Sequence, residues 1–155
     1  MLIIGIMTYR IIHTGTTMKF DIEQTIGFLL AKAHQRGFAL FKERLDPFGL
    51  TPQQFGLLAF LWKQDDLSQA ELSEKSSIDR TTMGGLVDRL EKDGLVQRLP
   101  HPDDRRAYRI CLTERGKSLE NDLCDMALQV RERFLARLTR EEQETLRGLL
   151  EKLRS

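Results

Sequence analysis

The chain has only two cysteines among its 155 residues, Cys111 and Cys124, and they form no Cys-x-x-Cys pair. This scarcity argues against a disulfide-stabilised secreted protein and favours a reduced, cytoplasmic one. No charge of one sign dominates either, because the formal net charge is +1. Only a local concentration of arginine and lysine would therefore indicate nucleic acid. The length is sufficient for one domain with its own core.

The sequence also lacks a hydrophobic run long enough to cross a membrane. Met1 to Met7 is apolar, but Arg10 follows closely, no basic segment precedes the run, and it is too short for a signal peptide or a membrane span. Helical periodicity begins at Met18. We therefore expect residues 1–17 to be an extension, either disordered or due to a start codon placed upstream of Met18. A short ordered arm that packs on a dimer is the alternative.

The signatures of common enzyme sites are missing as well. The sequence contains no Gly-x-Ser-x-Gly motif, phosphate-binding loop, dinucleotide fingerprint or His-Glu-x-x-His motif. The three histidines, His13, His34 and His101, are scattered, and no cluster has the spacing of metal ligands. We therefore expect a protein that is not an enzyme and that holds no metal or other cofactor.

Helical periodicity accounts for most of what is present. From Asp21, apolar residues recur at steps of three and four as far as Asp46-Pro47, where the proline ends the predicted helix. Thr51, Ser68 and Thr139 each precede a glutamine or glutamate by three residues, and each predicts a capping box at the start of a further helix. There is no internal repeat and no low-complexity linker.

A distinct order of elements follows the helix that begins at Ser68. Ser76-Ser77-Ile78 predicts a tight turn, and Asp79 caps a second helix that Gly94 ends as a left-handed cap. Leu95–Leu99 and Tyr108–Leu112 then predict two short strands of a hairpin. Helix, turn, helix and hairpin in this order are typical of a winged helix-turn-helix, which binds DNA.

The helix after Asp79 has two faces of different composition. Its apolar stripe consists of Met83, Leu86, Val87 and Leu90. The opposite face carries Thr81, Thr82, Gly85, Asp88 and Arg89, and Arg80 lies near the N-terminus of the helix. The candidate DNA contacts are Arg80, Thr81, Thr82, Gly85 and Arg89, since threonine and arginine side chains suit phosphates and base edges. The pair Gly84-Gly85 costs about 1 kcal/mol per glycine relative to alanine. Close approach of the backbone to a DNA groove would offset that cost, and close packing on a neighbouring helix is the alternative.

The predicted hairpin carries a local excess of positive charge. Its arginines are Arg98, Arg105, Arg106 and Arg109, and its aspartates are Asp103 and Asp104. An arginine on a projecting tip fits a narrow minor groove, where negative potential is focused. A solvated polar turn is the alternative for the hairpin alone, but its position after a helix-turn-helix favours DNA.

The segment from Ser68 to Gly116 resembles the MarR family of bacterial transcriptional regulators. The family's Asp-x-Arg wing pattern, which leads to a Leu-Thr helix start, matches Asp104, Arg106 and Leu112-Thr113. The order of the flanking helices agrees as well, so the resemblance extends from about Asp21 to the C terminus. It implies a mainly α-helical fold with a small β-hairpin wing, in which long dimerisation helices flank the winged helix-turn-helix.

The resemblance assigns parts to the chain. Residues 18–155 form the MarR-type domain, with dimerisation helices at 21–46 and 113–153 and the winged helix-turn-helix at 51–112. A homodimer is expected on physical grounds too, because the apolar stripes of the first and last helices exceed what a small winged domain can cover. Such a two-fold dimer binds double-stranded DNA at an inverted-repeat operator.

Individual contacts follow from the same resemblance. The second helix of the turn motif enters the major groove, and Arg106, with Arg105 beside it, enters the flanking minor groove. Asp104 orients these arginines, since a carboxylate beside phosphate is repelled. Ser68 and Gln69, at a helix N-terminus, hold the phosphate backbone.

The family resemblance further implies a repressor that releases DNA when a small molecule, often a phenolic or aromatic acid, binds between the dimerisation and DNA-binding regions. His34, Phe38, Phe41 and Trp62 are the candidates to line such a pocket. Packing in the core is the alternative for the two phenylalanines. The sequence does not distinguish a repressor from an activator.

Two other interpretations of the function stay open. A thiol-based redox regulator is disfavoured, because relatives that sense peroxide use a cysteine in the first helix and this sequence has none there. Neither Cys111 nor Cys124 has an evident cation or helix N-terminus nearby to lower its pKa. A winged-helix module that binds a protein and no DNA would expose an apolar or acidic face, which the threonines, glycines and arginines disfavour.

Overall fold

The computed structural model describes residues 20–102 and 107–154, so that residues 1–17 and the wing tip lie outside the described residues. Compact packing divides the chain into two units, Met1–Ala33 and His34–Ser155, and each is described by itself. The described residues form helices α1 (Ile26–Leu45), α2 (Pro52–Lys63), α3 (Gln69–Ser76), α4 (Arg80–Lys92), α5 (Glu114–Ser118), α6 (Glu120–Leu135) and α7 (Arg140–Arg154). Their strands are β1 (Leu67–Ser68), β2 (Val96–Pro100) and β3 (Tyr108–Leu112). The predicted fold class, a mainly helical winged helix-turn-helix, is confirmed.

The described part of the first unit begins with a short 3-10 turn rather than with the predicted helix. The carboxylate of Asp21 accepts the backbone N–H of Glu23 at 3.0 Å and caps the turn Ile22–Gln24. Thr25 is extended, so α1 starts at Ile26 and the predicted start at Asp21 is five residues too early. The unit leaves large apolar side chains exposed: Phe20, Ile22, Ile26, Leu29 and Leu30.

The predicted helix ends and capping boxes are confirmed. The helix before Asp46-Pro47 ends at Leu45. Thr51 accepts the N–H of Gln54 at 3.2 Å while the Gln54 side chain accepts the Thr51 N–H at 2.9 Å. Equivalent pairs of hydrogen bonds join Ser68 to Glu71 and Thr139 to Glu142.

The turn between α3 and α4 uses a left-handed residue, Ser77, at φ 55°. Asp79 then caps α4 by accepting the N–H of Thr82 at 2.9 Å. At the other end of α4, Gly94 has a φ of 70°, as predicted for a C-terminal cap. Both turns are therefore fixed by local chemistry.

A three-stranded antiparallel sheet, in the order β1-β3-β2, forms the wing and its base. Ile110 lies at its centre, opposite Leu67 on β1 and Arg98 on β2. The strand β1 is only two residues long, and the sequence does not indicate it. The first hairpin strand begins one residue later than predicted, because Leu95 lies before β2.

The core of the second unit lies beneath the helix-turn-helix. The apolar stripe of α4 is buried as predicted. It packs with leucines of α2 and α3 and with the inner face of the sheet. The large side chains that are less than 2% exposed are Leu45, Leu58, Leu61, Leu67, Leu72, Met83, Val87, Leu90, Val96, Ile110 and Leu123. No helix among the described residues is long and apolar enough to span a membrane.

The single helix predicted after Thr113 is divided at Leu119 into α5 and α6. In an unbroken helix the carbonyl of Gly116 would accept the backbone N–H of the residue four positions later. Here it accepts the indole N–H of Trp62 at 3.0 Å. A Cβ on Gly116 would lie 2.1 Å from the carbonyl oxygen of Leu95. Both contacts at Gly116 come from residues distant in the sequence, Trp62 and Leu95, which periodicity does not encode.

We predict that Gly116→Ala destabilises the fold by about 1–3 kcal/mol, because the added methyl group has to displace backbone rather than a flexible side chain. Urea unfolding measures the effect. Gly56→Ala on α2 is the control, since a Cβ there meets nothing within 4 Å and alanine is the better helix former. A Gly116→Ala midpoint equal to that of the wild type would contradict the close contact.

Candidate nucleic-acid interface

The buried stripe of α4 turns the opposite face of the helix toward solvent. The five residues predicted to contact DNA from this helix are all exposed: Arg80, Thr81, Thr82, Gly85 and Arg89. Thr81, Thr82, Gly85 and Arg89 lie on the face opposite the buried stripe, and Arg80 is exposed at the N-terminus of the helix. These groups suit DNA, since arginine can bind guanine or phosphate and threonine can contact a thymine methyl group.

The two glycines of α4 have different environments. A Cβ on Gly84 would lie 3.4 Å from Nε2 of Gln69, whereas a Cβ on Gly85 would meet nothing within 4 Å. Gly84 therefore faces the Gln69 side chain of the neighbouring helix α3, which is flexible and could accommodate an alanine. Gly85 has no such neighbour, and its missing side chain leaves the outer face of α4 low and open.

The hydroxyl of Thr82 is engaged within the helix cap. It donates to Asp79 Oδ2 at 2.6 Å, and the Thr82 N–H donates to Asp79 Oδ1 at 2.9 Å. These bonds, the side-chain bond first, lower the pKa of the Asp79 carboxyl. The Thr82 proton is thus used by the cap, which leaves the methyl group and an oxygen lone pair for contacts outside the chain.

Ser68 and Gln69, the predicted phosphate contacts, are half-buried at the start of α3. The Ser68 hydroxyl donates to Glu71 at 2.7 Å, and hydrogen bonds from the backbone and side chain of Ser68 lower the pKa of Glu71. The Gln69 amide donates to the carbonyl of Arg80 at 3.2 Å. Gln69 thus spans from α3 to the first turn of α4 and lies against Gly84.

The hairpin arginines divide into two groups. Arg105, Arg106 and the orienting Asp104 lie outside the described residues. Arg98 and Arg109, which the sequence analysis counted with them, are paired within the chain. Arg98 pairs with Asp88 and Glu91, and Arg109 pairs with Asp66.

Two aspartates that the sequence analysis missed hold the loop before β1 against β3. Asp65 Oδ1 accepts the Leu112 N–H at 2.9 Å. Asp66, with a φ of 66°, accepts from Arg109 and, at 3.2 Å, from the thiol of Cys111. The only local signal was an Asp-Asp pair, and these contacts reach 43 to 47 residues along the chain.

Both thiols are in environments that disfavour the thiolate. Burial raises the pKa of the Cys111 thiol to about 11, and the hydrogen bond to Asp66 and the charges of Asp66 and Asp65 act in the same direction. Burial also raises the pKa of Cys124, together with the charges of Glu120 and Asp125. A reactive thiol requires the opposite shift.

The candidate effector residues fall into two separate groups of aromatic rings. His34 and Phe38 on α1 have ring centroids 6.1 Å apart. Phe41 lies 5.2 Å from Phe55, which in turn lies 6.0 Å from Trp62. Phe55, a further aromatic residue that the sequence analysis did not select, therefore connects Phe41 with Trp62. These three rings pack against the buried core.

A groove of about 990 Å³ lies between α6 and α7. Its apolar lining includes Phe134, Leu135, Leu146 and Leu150, and arginines and glutamates border it. The leucines of α7 are exposed: Leu146, Leu149, Leu150 and Leu153.

Among the described residues, no group of three or more His, Cys, Asp or Glu side chains is arranged to hold a metal ion.

We predict that Cys111 is almost unreactive toward alkylating agents near neutral pH. In a Cys124→Ser background, the alkylation rate should increase about tenfold per pH unit from pH 8 to pH 10, since the thiolate stays the minor form below a pKa of about 11. The same protein unfolded in urea is the control, with an ordinary thiol pKa of about 8.5. A rate that levels off below pH 9 in the folded protein would contradict this environment.

Comparison with known proteins agrees with this architecture. A model described as the MarR family matches residues 50–108. The HTH-type transcriptional repressor NicR of Pseudomonas putida is 36% identical over 134 residues, which cover 86% of this chain and 85% of that protein.

Two solved structures extend the similarity to the fold. BpsR of Bordetella bronchiseptica, solved in a study of how 6-hydroxynicotinic acid regulates its DNA binding, is 28% identical with a TM-score of 0.84, over 88% of this chain and 98% of that one. A MarR mutant from E. coli complexed with operator DNA is 28% identical with a TM-score of 0.81, over 86% and 99%. This chain therefore belongs to the MarR family of transcriptional regulators.

Proposed function

We propose that the chain acts as a homodimeric, sequence-specific DNA-binding repressor, which a small phenolic or aromatic acid releases from an inverted-repeat operator. The observation that carries this proposal is the outer face of α4. This face exposes Thr81, Thr82, Gly85 and Arg89, Arg80 is exposed at the helix N-terminus, and the opposite face of the same helix is buried in the core.

In this proposal α4 enters the major groove. Gly85 has no neighbour within 4 Å of its Cβ position, so the helix axis can approach the base edges closely at this point. Arg80 and Arg89, two and a half turns apart on α4, then reach bases or phosphates on either side of that approach. The similar MarR mutant complexed with operator DNA supports this use of the fold.

The wing and the start of α3 supply the flanking contacts. Arg106, with Arg105 beside it, enters the minor groove, and Asp104 orients the two. Ser68 and Gln69 lie at the N-terminus of α3, where backbone N–H groups favour phosphate. Because their side chains have partners within the chain, their contact with phosphate uses the backbone or requires those bonds to exchange.

A dimer is supported by the apolar surface that the described residues leave exposed. The α7 leucines beside the groove between α6 and α7 are exposed, and the first unit by itself exposes five further large apolar side chains. Exposed apolar surface of this kind favours a protein partner that covers it. We therefore assign dimerisation to the segments 21–46 and 113–153. A two-fold axis then places two copies of α4 on an inverted repeat.

Release by a ligand requires a difference in affinity between two arrangements of the dimer. A ligand shifts the equilibrium only by binding better to the arrangement whose α4 helices no longer match the operator. His34, Phe38, Phe41 and Trp62 are the proposed contacts, and their rings suit an aromatic ligand. The similarity to BpsR supports an aromatic acid.

The proposal is tested by incubating purified protein with a pool of random DNA duplexes and sequencing the retained fraction. Enrichment of an inverted repeat, with half-sites about one helical turn apart, is the expected result. A lack of enrichment even at low salt would contradict the proposal and would favour a winged-helix module that binds a protein.

Gly85→Leu should abolish binding to the enriched operator while the dimer stays folded, because a leucine side chain would block the approach of α4 to the groove. Fluorescence anisotropy with a labelled operator measures binding, and sedimentation confirms the dimer. Gly85→Ala is the graded control: it adds one methyl group and should raise helix stability by about 1 kcal/mol. Wild-type affinity in the Gly85→Leu variant would exclude this face of α4 from the contact.

An aromatic acid should displace the protein from its operator, and 6-hydroxynicotinic acid and salicylic acid are suitable probes. We expect Trp62→Leu to weaken the effect of an active acid by about fivefold or more while operator affinity without ligand changes little, since losing an aromatic contact typically costs about 1 kcal/mol or more. Competition anisotropy gives both quantities. Equal ligand sensitivity in the variant and the wild type would remove Trp62 from the pocket.

A further inference from the structure

We propose that Arg98 is a positioning residue for DNA recognition: it holds the base of the wing at a fixed angle to α4 and does not itself contact DNA. The inference rests on the proposed function, in which α4 and the wing bind one DNA site together. Two such elements bind well only when their relative placement is fixed before binding.

The contacts of Arg98 join β2 to α4 at three points. Its guanidinium donates to the Glu91 carboxylate and, at 2.5 Å, to Asp88 Oδ1. Its backbone N–H donates to Glu91 Oε1 at 2.9 Å. Glu91 therefore binds both the main chain and the side chain of Arg98, and the two carboxylates lie one turn apart on α4.

These contacts bridge the turn that connects the two DNA-binding elements. Between Glu91 and Arg98 the chain leaves α4, turns at Gly94 with a φ of 70°, and enters β2. Glycine at such a turn allows the backbone several conformations. By fixing both sides of the turn, Arg98 limits the angle at which the hairpin leaves α4.

Fixing Arg98 also fixes the rest of the hairpin base. Arg98 is opposite Ile110 on β3 in the antiparallel ladder, and Ile110 is fully buried. A change in the position of Arg98 would therefore have to move a buried residue of the central strand. The contact of Arg98 with α4 therefore restrains β2 directly and β3 through the hydrogen-bonded ladder.

The charge arrangement argues against a direct contact between Arg98 and DNA. The Arg98 side chain is 21% exposed, whereas that of Asp88 is 68% exposed, so a carboxylate is the more accessible member of the pair. Partial burial opposes the charge of Arg98, but the two carboxylates outweigh it and raise the pKa of the guanidinium. Arg98 thus stays charged and bound to Asp88 and Glu91. It offsets the negative charge of these two carboxylates, which lie on either side of Arg89 in the sequence.

The experiment compares affinity for the enriched operator with affinity for a scrambled duplex of the same length, at several salt concentrations. For Arg98→Met, we expect operator affinity to fall by about tenfold or more, and scrambled-duplex affinity by less than about threefold. Lys63→Met is the matched control, because it removes one exposed cation at the end of α2, outside the proposed dimerisation segments and the proposed DNA contacts. It should change both affinities equally and slightly.

A double-mutant cycle with Glu91→Gln identifies the route of the effect. If Arg98 acts through Glu91, the two losses of operator affinity are not additive, and the coupling should be at least about fivefold. Additive losses would overturn the inference. Equal losses on both duplexes, with a salt dependence reduced by about one unit, would overturn it too, because they indicate a phosphate contact.

Folding is checked by thermal melting of every variant. Should Arg98→Met melt below the assay temperature, Arg98→Lys takes its place: it keeps the charge but cannot bind two carboxylates as a planar guanidinium does, and the same selective loss of operator affinity is expected. Unchanged operator affinity in the folded variant overturns the inference. A wild-type protein that does not distinguish operator from scrambled duplex would refute the proposed function itself.

Discussion

The attachment of α4 to the core is the constraint on which the rest of the structure depends. One side of this helix has to be held by close packing, and the other side has to stay accessible. Met83, Val87 and Leu90 are completely buried, which fixes the rotation of the helix about its axis. That rotation in turn decides which residues face outward, and it leaves Gly85 open.

Several polar contacts then fix the remaining degrees of freedom of α4. The Asp79 cap defines where the helix begins, and Gln69 ties its first turn to α3. At the other end, Arg98 ties α4 to β2. The Asp79 cap satisfies a backbone N–H at the helix start, and together the three contacts hold the helix at both ends.

The arginines near α4 are of two kinds, those paired with carboxylates within the chain and those exposed to solvent. A surface that binds DNA needs cations that are free to leave water for phosphate, and the carboxylates near it have to be neutralised within the chain. Arg98 and Arg109 neutralise carboxylates on α4 and before β1. Arg80 and Arg89 stay exposed on α4. Counting arginines along the sequence does not separate these two uses, because the partners lie up to 43 residues away.

Local signals made most of the fold predictable from the sequence. The capping residues Thr51, Ser68, Asp79 and Thr139 and the left-handed Gly94 act within a few residues, and the periodicity of α4 gave its buried stripe correctly. Distant contacts account for what was missed. The strand β1 exists only because β3 pairs with it, and α5 is separate from α6 where Trp62 and Leu95 approach Gly116.

The candidate site divides in the same way. The exposed face of α4 followed from its periodicity, and the structure agrees. The different environments of Gly84 and Gly85 could not be predicted from the sequence. They depend on where Gln69 lies, 15 residues before Gly84 and on another helix. The pairing of Phe41 and Trp62 through Phe55 likewise depends on the packing of α1 on α2, which no periodicity specifies.

If the chain acts as proposed, two copies of α4 enter the major groove of one DNA site. Methylation interference tests this directly, because a methyl group on guanine N7 lies in the major groove. Two clusters of interfering guanines are expected, one in each half-site and about one helical turn apart. Absence of interference in the major groove, or a single cluster, would contradict the proposal.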